Sequence, residues 1–326
     1  MLSITKGFRL RLDWMHIFSG FLAPYFIAIS AFLLLSKRGP LLWTVTIGSC
    51  LLIVMTPWLV PADDPLLRFL ASMSAAVVAI KVIDVSLDVR QRSTPTWREY
   101  LDFLANPFVL VRRCLALERR PSLHENLVSL VGGSLGCATG LALLFGLFSV
   151  DWSSLHFLAE HVSKVVAFML TVTSGLTAAT ALWRLCGGTA RDYMDRPFIA
   201  RTPAEFWRRY NRNMQQFFWQ DIFRKHGGRR APIRTMLIVF AVSALLHELI
   251  FSAAVGRVQG YQTAFFALQG LAAALTARVK VKGWLAIPWI AGTLVFNLAS
   301  SVLFFASIHQ VVPFYSQGLP EWLQGW

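Results

Sequence analysis

In "VSALLHELIF", residues 242–251, a histidine and a glutamate adjoin inside a run of Val, Ala, Leu, Ile and Phe long enough to cross a bilayer. An ionisable side chain in hydrocarbon is costly unless it is paired or faces a cavity, so it marks a functional position by default. With an ordinary pKa of about 6.5, the His247 imidazole suits the removal of a proton from a poor nucleophile at neutral pH. The plain structural role for it is a satisfied hydrogen bond in a helical bundle, for instance with Ser243 one turn earlier. Glu248 points about 100° away from His247 on the same helix. It is therefore placed to orient a neighbouring helix or to meet an arginine from a loop.

A second set lies in "RTPAEFWRRYNRNMQQFFWQDIFRKHGG", residues 201–228. Thr202-Pro203-Ala204-Glu205 carries an N-cap Thr, a Pro at the first helical position and a Glu that closes the capping box. Gly227-Gly228 supply a stop. Helical spacing between them gathers Trp207, Tyr210, Met214, Phe217 and Phe218 on one stripe, with Arg208, Arg209, Arg212 and Gln216 opposite. This predicts one amphipathic helix at the membrane surface. Asn211 projects about 40° from Trp207, within the apolar stripe, as does Asp221. An amide there either caps or ties a neighbouring helix, or it meets a reacting group.

Lys81, Asp84 and Asp88 form a third set, spaced to pair with one another along one helix face. Together with Asp192 and Asp195 ("RDYMD") they distantly resemble the paired aspartates with which intramembrane prenyltransferases hold magnesium diphosphate, although the asparagine-led first motif of that family is missing.

The elements that must carry these residues are apolar spans. The chain of 326 residues is 56% hydrophobic and only 15% charged, below the quarter or so typical of soluble domains. Apolar stretches near the length of a bilayer-crossing helix fall at about 16–36, 40–60, 66–84, 127–149, 163–185, 234–256, 260–277 and 283–308. The fold class expected is therefore all-α: a multispanning membrane helical bundle of about eight helices, forming a single domain over 1–326. The net charge of +14 is explained by topology and gives no reason to invoke nucleic acid. Lys and Arg concentrate in two long connections, 85–126 (Arg90, Arg92, Arg98, Arg112, Arg113, Arg119, Arg120) and 186–233, which are placed in the cytoplasm with interfacial helices. Asp151 and Glu160 place 150–162 outside. Lys37–Arg38 inside and Asp63–Asp64 outside agree, whereas Lys6, Arg9 and Arg11 outside do not. The N-terminal segment reads as an interfacial lead-in, because no small-residue cleavage site follows it. Cys50, Cys114, Cys137 and Cys186 have neither metal-ligand nor disulfide spacing.

An "FW-x-x-[WY]-N" helix, a basic turn and a membrane helix with a lone His resemble the membrane-bound O-acyltransferase superfamily over about residues 190–256. Within it, "RTPAEFWRRYNRNMQQFFWQDIF" and "AVSALLHELIF" look like the wax-synthase branch, and "YLDFLANPF" (100–108) is a weaker echo. Tyr210 replaces the usual Trp, and Ala244 a small Gly. The resemblance implies transfer of an acyl group from coenzyme A to a lipophilic, long-chain alcohol, with acyl-CoA as co-substrate and no cofactor or metal. It implies His247 as the general base, Asn211 as its polar partner at the thioester, and Trp207, Arg208, Arg209, Arg212, Tyr210, Gln215 and Glu248 as substrate contacts. The rival expectations are the magnesium-dependent prenyltransferase and a transporter using His247 as a proton relay. The latter would show inverted repeats or Gly/Pro-broken helices, and neither is evident.

Overall fold

The computed structural model describes residues 15, 18–35, 39–91, 94–113 and 121–324. Lys6, Arg9, Arg11, Lys37, Arg38, Arg92, Cys114, Arg119 and Arg120 lie outside them. The described residues contain helices and no strand: α1 (Ala23–Leu35), α2 (Pro40–Met55), α3 (Pro65–Gln91), α4 (Trp97–Ala105), α5 (Leu123–Phe148), α6 (Phe157–Leu185), α7 (Pro203–Arg209), α8 (Arg212–Phe218), α9 (Pro232–Val255), α10 (Tyr261–Thr276), α11 (Ala286–Val311) and α12 (Glu321–Gln324).

Six of these segments are long and apolar enough to cross a membrane: 40–59, 65–90, 123–148, 157–185, 232–255 and 283–311. The remaining two of the eight expected spans are shorter. Residues 18–34 form a short apolar helix, and α10 has 16 residues, about 24 Å at 1.5 Å per residue against a core of about 30 Å. The reason lies in α10 itself. It begins only after Gly260, whose φ of +78° breaks the chain, and it buries Gln262 and Gln269, which lower its apolarity.

The chain divides into two compact units: residues 1–104 with 249–258, and residues 105–248 with 259–326. In the first unit α3 runs to Gln91, past the expected end at 84, because its polar residues are covered. Lys81, Asp84, Ser86 and Asp88 are all buried. Lys81 Nζ donates to the carbonyls of Phe103 and Leu104 at 2.8 and 3.1 Å, so it caps the exposed carbonyl end of α4. Sequence spacing alone suggested only the aspartates as its partners. The Tyr100 hydroxyl donates to Ala28 O at 2.8 Å and fastens α4 to α1.

The second unit is built around the α5–α6 hairpin, whose helices approach closely at small residues. A Cβ on Gly133 would stand 2.7 Å from the backbone nitrogen of Ala178, and one on Gly140 would stand 2.6 Å from that of Thr171. Glu160, expected in an external loop, instead lies in the first turn of α6 and is 1% exposed. It accepts from Lys164 Nζ at 2.6 Å and from Ser316 N at 2.7 Å. Lys164 also donates to Phe314 O at 2.9 Å. The carboxylate is inside because the segment after α11 folds back over it.

Candidate functional site

The single amphipathic helix expected between Thr202 and Gly227 is broken. Its start forms as the sequence predicts: Thr202 accepts from Glu205 N at 3.1 Å, and Pro203 opens α7. The capping box does not close: Glu205 passes the Thr202 amide and accepts from Arg201 N at 2.9 Å, and Arg209 also holds it. At Tyr210 the backbone becomes extended, and Asn211 takes the left-handed conformation, φ +44°. The angular phase resets there, so the stripe drawn through Trp207 does not continue into α8.

The corner has its own supports. Asp195 N donates to Arg209 O at 2.9 Å and Arg212 N to Tyr193 O at 2.8 Å, pairing the "RDYMD" segment with both sides of the break. Asn211 Oδ1 accepts from Met214 N at 3.2 Å and caps α8. Burial pushes the Tyr193 phenol up, and the Asn211 side chain moderates the effect. Tyr210, half-buried beside Tyr193, is pushed up by desolvation to about 12; both phenols stay neutral. Of the two roles left open for Asn211, the structure displays the cap.

The substrate contacts expected on the polar face diverge. The Arg208 side chain is 68% exposed, 3.9 Å from Glu205. Arg209 pairs with Glu205 at 2.5 Å. Burial raises the Glu205 carboxyl, but the Arg201 amide and then Arg209 outweigh it and hold the group below its ordinary value. Arg212 lines a separate cavity with Arg184 and Arg191. Gln215 is half-buried on α8, one turn from Asn211. Asp221 pairs with Arg113 at 2.5 Å, both side chains 6% exposed, which explains an acid on the apolar side. Asn106, from "YLDFLANPF", donates to Thr189 O at 2.7 Å, and Asn213 to Phe108 O at 2.9 Å. These bonds strap the two basic connections together.

His247 sits on α9 among rings. Its centroid is 4.3 Å from that of Phe266 and 6.4 Å from that of Phe304. Trp207 in turn lies 5.8 Å from Phe266 and 5.4 Å from Phe240. His247 Nδ1 is 2.8 Å from the backbone carbonyl of Ser243, not from its hydroxyl. A carbonyl only accepts, so Nδ1 carries the proton and Nε2 presents a lone pair. Among the described residues Nε2 has no hydrogen-bond partner, and the ring is half-buried.

Glu248 takes the first of the options its position allowed. Its oxygens accept from the amides of Gln259 (3.0 Å), Gly260 (2.8 Å) and Thr263 (3.0 Å) and from the Thr263 hydroxyl (3.0 Å). This fixes the start of α10 and with it Phe266. The bonds of Glu248 thus go to the start of α10, and no described contact joins it to His247.

A polar file between α7, α10 and α11 was not anticipated. Trp207 Nε1 donates to Gln269 Oε1 at 2.8 Å. Gln269 Nε2 donates to Ser300 Oγ at 2.8 Å and to Asn297 Oδ1 at 3.3 Å. Asn297 Nδ2 is buried and has no hydrogen-bond partner among the described residues. Gln269 lies three residues from Phe266, about 4.5 Å along α10 from the level of His247. The available signal was Gln262 and Gln269, seven residues apart in an apolar helix and hence on one face.

The acids of the prenyltransferase expectation have other engagements in part. Asp192 pairs with Arg184 at 2.8 Å, and the exposed Asp195 lies 3.9 Å from Arg196. Among the described residues no three His, Cys, Asp or Glu side chains gather as metal ligands would.

Comparison with known families matches residues 142–309 to MBOAT, membrane-bound O-acyltransferase family. The matched segment covers just over half of the chain and contains the α7–α8 corner, His247 and the polar file. No curated protein matches the chain.

Proposed function

We propose a reaction from one premise: this chain belongs to the membrane-bound O-acyltransferase family and is a membrane acyltransferase. It moves an acyl group from coenzyme A to the hydroxyl of a lipophilic alcohol, as a wax ester synthase does. The observation that carries this is the bonding of His247, whose Nδ1–H is anchored on Ser243 O and whose Nε2 lone pair is left unengaged.

His247 Nε2 takes the proton of the alcohol as its oxygen attacks the thioester carbonyl. The tetrahedral intermediate collapses with cleavage of the C–S bond, and the imidazolium returns the proton to the departing thiolate. Neither a Ser nor a Cys nucleophile is needed. Phe266 and Phe304 around the imidazole limit water, and with it hydrolysis. The unpartnered amide of Asn297 is the donor offered to the carbonyl oxygen or to the polar arm behind it. Asn211 is a positioning residue that sets the corner between Trp207 and Arg212. An open apolar groove of about 490 Å³, lined by Pro203, Leu275, Trp289 and Phe296 among others, suits a hydrocarbon chain.

The test is incubation of the purified protein with labelled acyl-CoAs and a panel of alcohols, followed by identification of the lipid products. Ester formation with long-chain alcohols, absent from His247→Ala, is expected. No ester with any pair, or a prenyl product made only with magnesium, overturns the assignment.

A further inference from the structure

A second cavity of the same unit lies among the residues that separate α5, α6 and the corner. It measures about 560 Å³ and is lined by Pro121, His124, Glu125, Arg184, Arg191 and Arg212, with Asp192 at its edge. Its size is that of a small-molecule pocket, well beyond a single ion. Three guanidinium groups face two carboxylates. Glu125 already accepts from Ser122 N at 2.7 Å in the capping box of α5, and Asp192 is 57% exposed. The lining therefore brings a surplus of guanidinium groups over carboxylates, and among them the Arg184 side chain is buried.

Arg184 marks the surplus. Its side chain is 9% exposed and its Nη2 donates to Asp192 at 2.8 Å, yet among the described residues its buried Nε has no hydrogen-bond partner. An unmatched donor on a buried cation is expensive, and an arginine fork fits two oxygens of one anion. A need for basic residues at the cytoplasmic face explains arginines in solvent, but not one folded inward with a donor unused. Arg212 follows the corner residue Asn211 directly, and its amide is held by Tyr193 O at 2.8 Å. The cavity and the corner thus share one backbone segment.

We infer that this arginine cavity binds a phosphate ester. Two sources carry that chemistry: the nucleotide phosphates of the acyl donor, an assignment that rests on the function proposed above, and the headgroup of an anionic phospholipid, which does not. Arg184 and Arg212 would hold the phosphate oxygens, and His124 and Arg191 would complete the wall.

Equilibrium binding to the purified full chain in neutral detergent separates the sources. The probes are coenzyme A, short-chain phosphatidic acid and short-chain phosphatidylcholine, applied to wild type, Arg184→Gln, Arg212→Gln and Lys280→Gln. Lys280 is an exposed cation outside the cavity. Wild type should bind coenzyme A or phosphatidic acid, about ten-fold or more weakly in the two arginine variants, with Lys280→Gln unchanged. If Arg184→Gln fails to purify as a single species, Arg212→Gln, whose side chain is half-exposed, decides alone. Wild type binding neither phosphate probe, or arginine variants binding as wild type does, overturns the site. Ester formation persisting while the variants bind both coenzyme A and phosphatidic acid as wild type does overturns the cavity and leaves the acyl transfer intact. Phosphatidic acid as the arginine-dependent ligand keeps the cavity and assigns it to lipid.

Discussion

Two histidines of one unit, His161 and His247, sit on membrane helices among aromatic rings, and their bonding differs. His161 is 1% exposed. Its Nε2 meets Leu298 O at 3.0 Å and Ser301 Oγ at 3.1 Å, and its Nδ1 meets the Tyr315 hydroxyl at 2.8 Å. Both nitrogens are engaged, next to the Glu160–Lys164 pair and the segment that returns over it. His247 has one nitrogen anchored and one unengaged, in a half-buried ring. A buried polar group with every position matched holds structure together. One with a single matched position is oriented for use. On the function proposed above, the pair separates a clasp from a base, although both are lone histidines in apolar helices.

The largest expected effect tests the base. Replacing His247 by Ala should lower the rate of ester formation by about 10²–10⁴-fold while thermal unfolding in detergent stays close to wild type. His161→Ala should do the reverse, lowering stability by about 1–3 kcal/mol through the stranded Tyr315 and Leu298 groups, with activity per folded molecule retained. Equal losses of activity in both variants would erase the distinction.

The clasp is probed more severely at its charge pair. Glu160→Gln leaves Lys164 buried opposite an uncharged amide and should cost about 3–5 kcal/mol, read as a lowered melting temperature and as proteolytic release of the segment after residue 311. A variant as stable as wild type would mean the pair is not what holds that segment.

A smaller effect sharpens the role of Asn211. Its cap and its positive φ predict that Asn211→Gly loses only a few tenths of a kcal/mol, whereas Asn211→Ala loses about 1–2 kcal/mol. Activity should follow the same order, with Gly well above Ala. If Gly and Ala are equally inactive while folded, the amide itself is needed by the substrate.

The smallest concerns Glu205. Its carboxyl is held below its ordinary value in the folded chain, so its contribution is present above the unfolded pKa and is lost as pH falls through the folded one. Glu205→Gln should lower stability by about 1 kcal/mol or less at neutral pH. The gap to wild type should close below about pH 4. A gap independent of pH would assign Glu205 to packing alone.

Much of this molecule is written in local pattern. The apolar runs, the Thr202-Pro203-Glu205 helix start and His247 as a lone imidazole in hydrocarbon all follow from composition and spacing, because bilayer thickness and helix geometry act on each segment separately. The six segments long and apolar enough to cross a membrane fall where the apolar runs do, and the resemblance carried by the 201–228 motif and His247 agrees with the family match. Other features had no local signature. The break at Asn211 depends on Tyr193 and Asp195, some 16–18 residues away in the chain. Glu160 becomes buried because Ser316, more than 150 residues later, meets it. Gln269 and Asn297 become neighbours, and Arg212 joins Arg184 instead of Arg208, only when separate helices pack. Sequence sets which residues are costly to bury, since that cost belongs to the side chain. Tertiary structure decides which of them find partners, since a hydrogen bond needs a second group brought within 3 Å or so from elsewhere in the chain; it does so for Glu248 and, among the described residues, not for His247 Nε2.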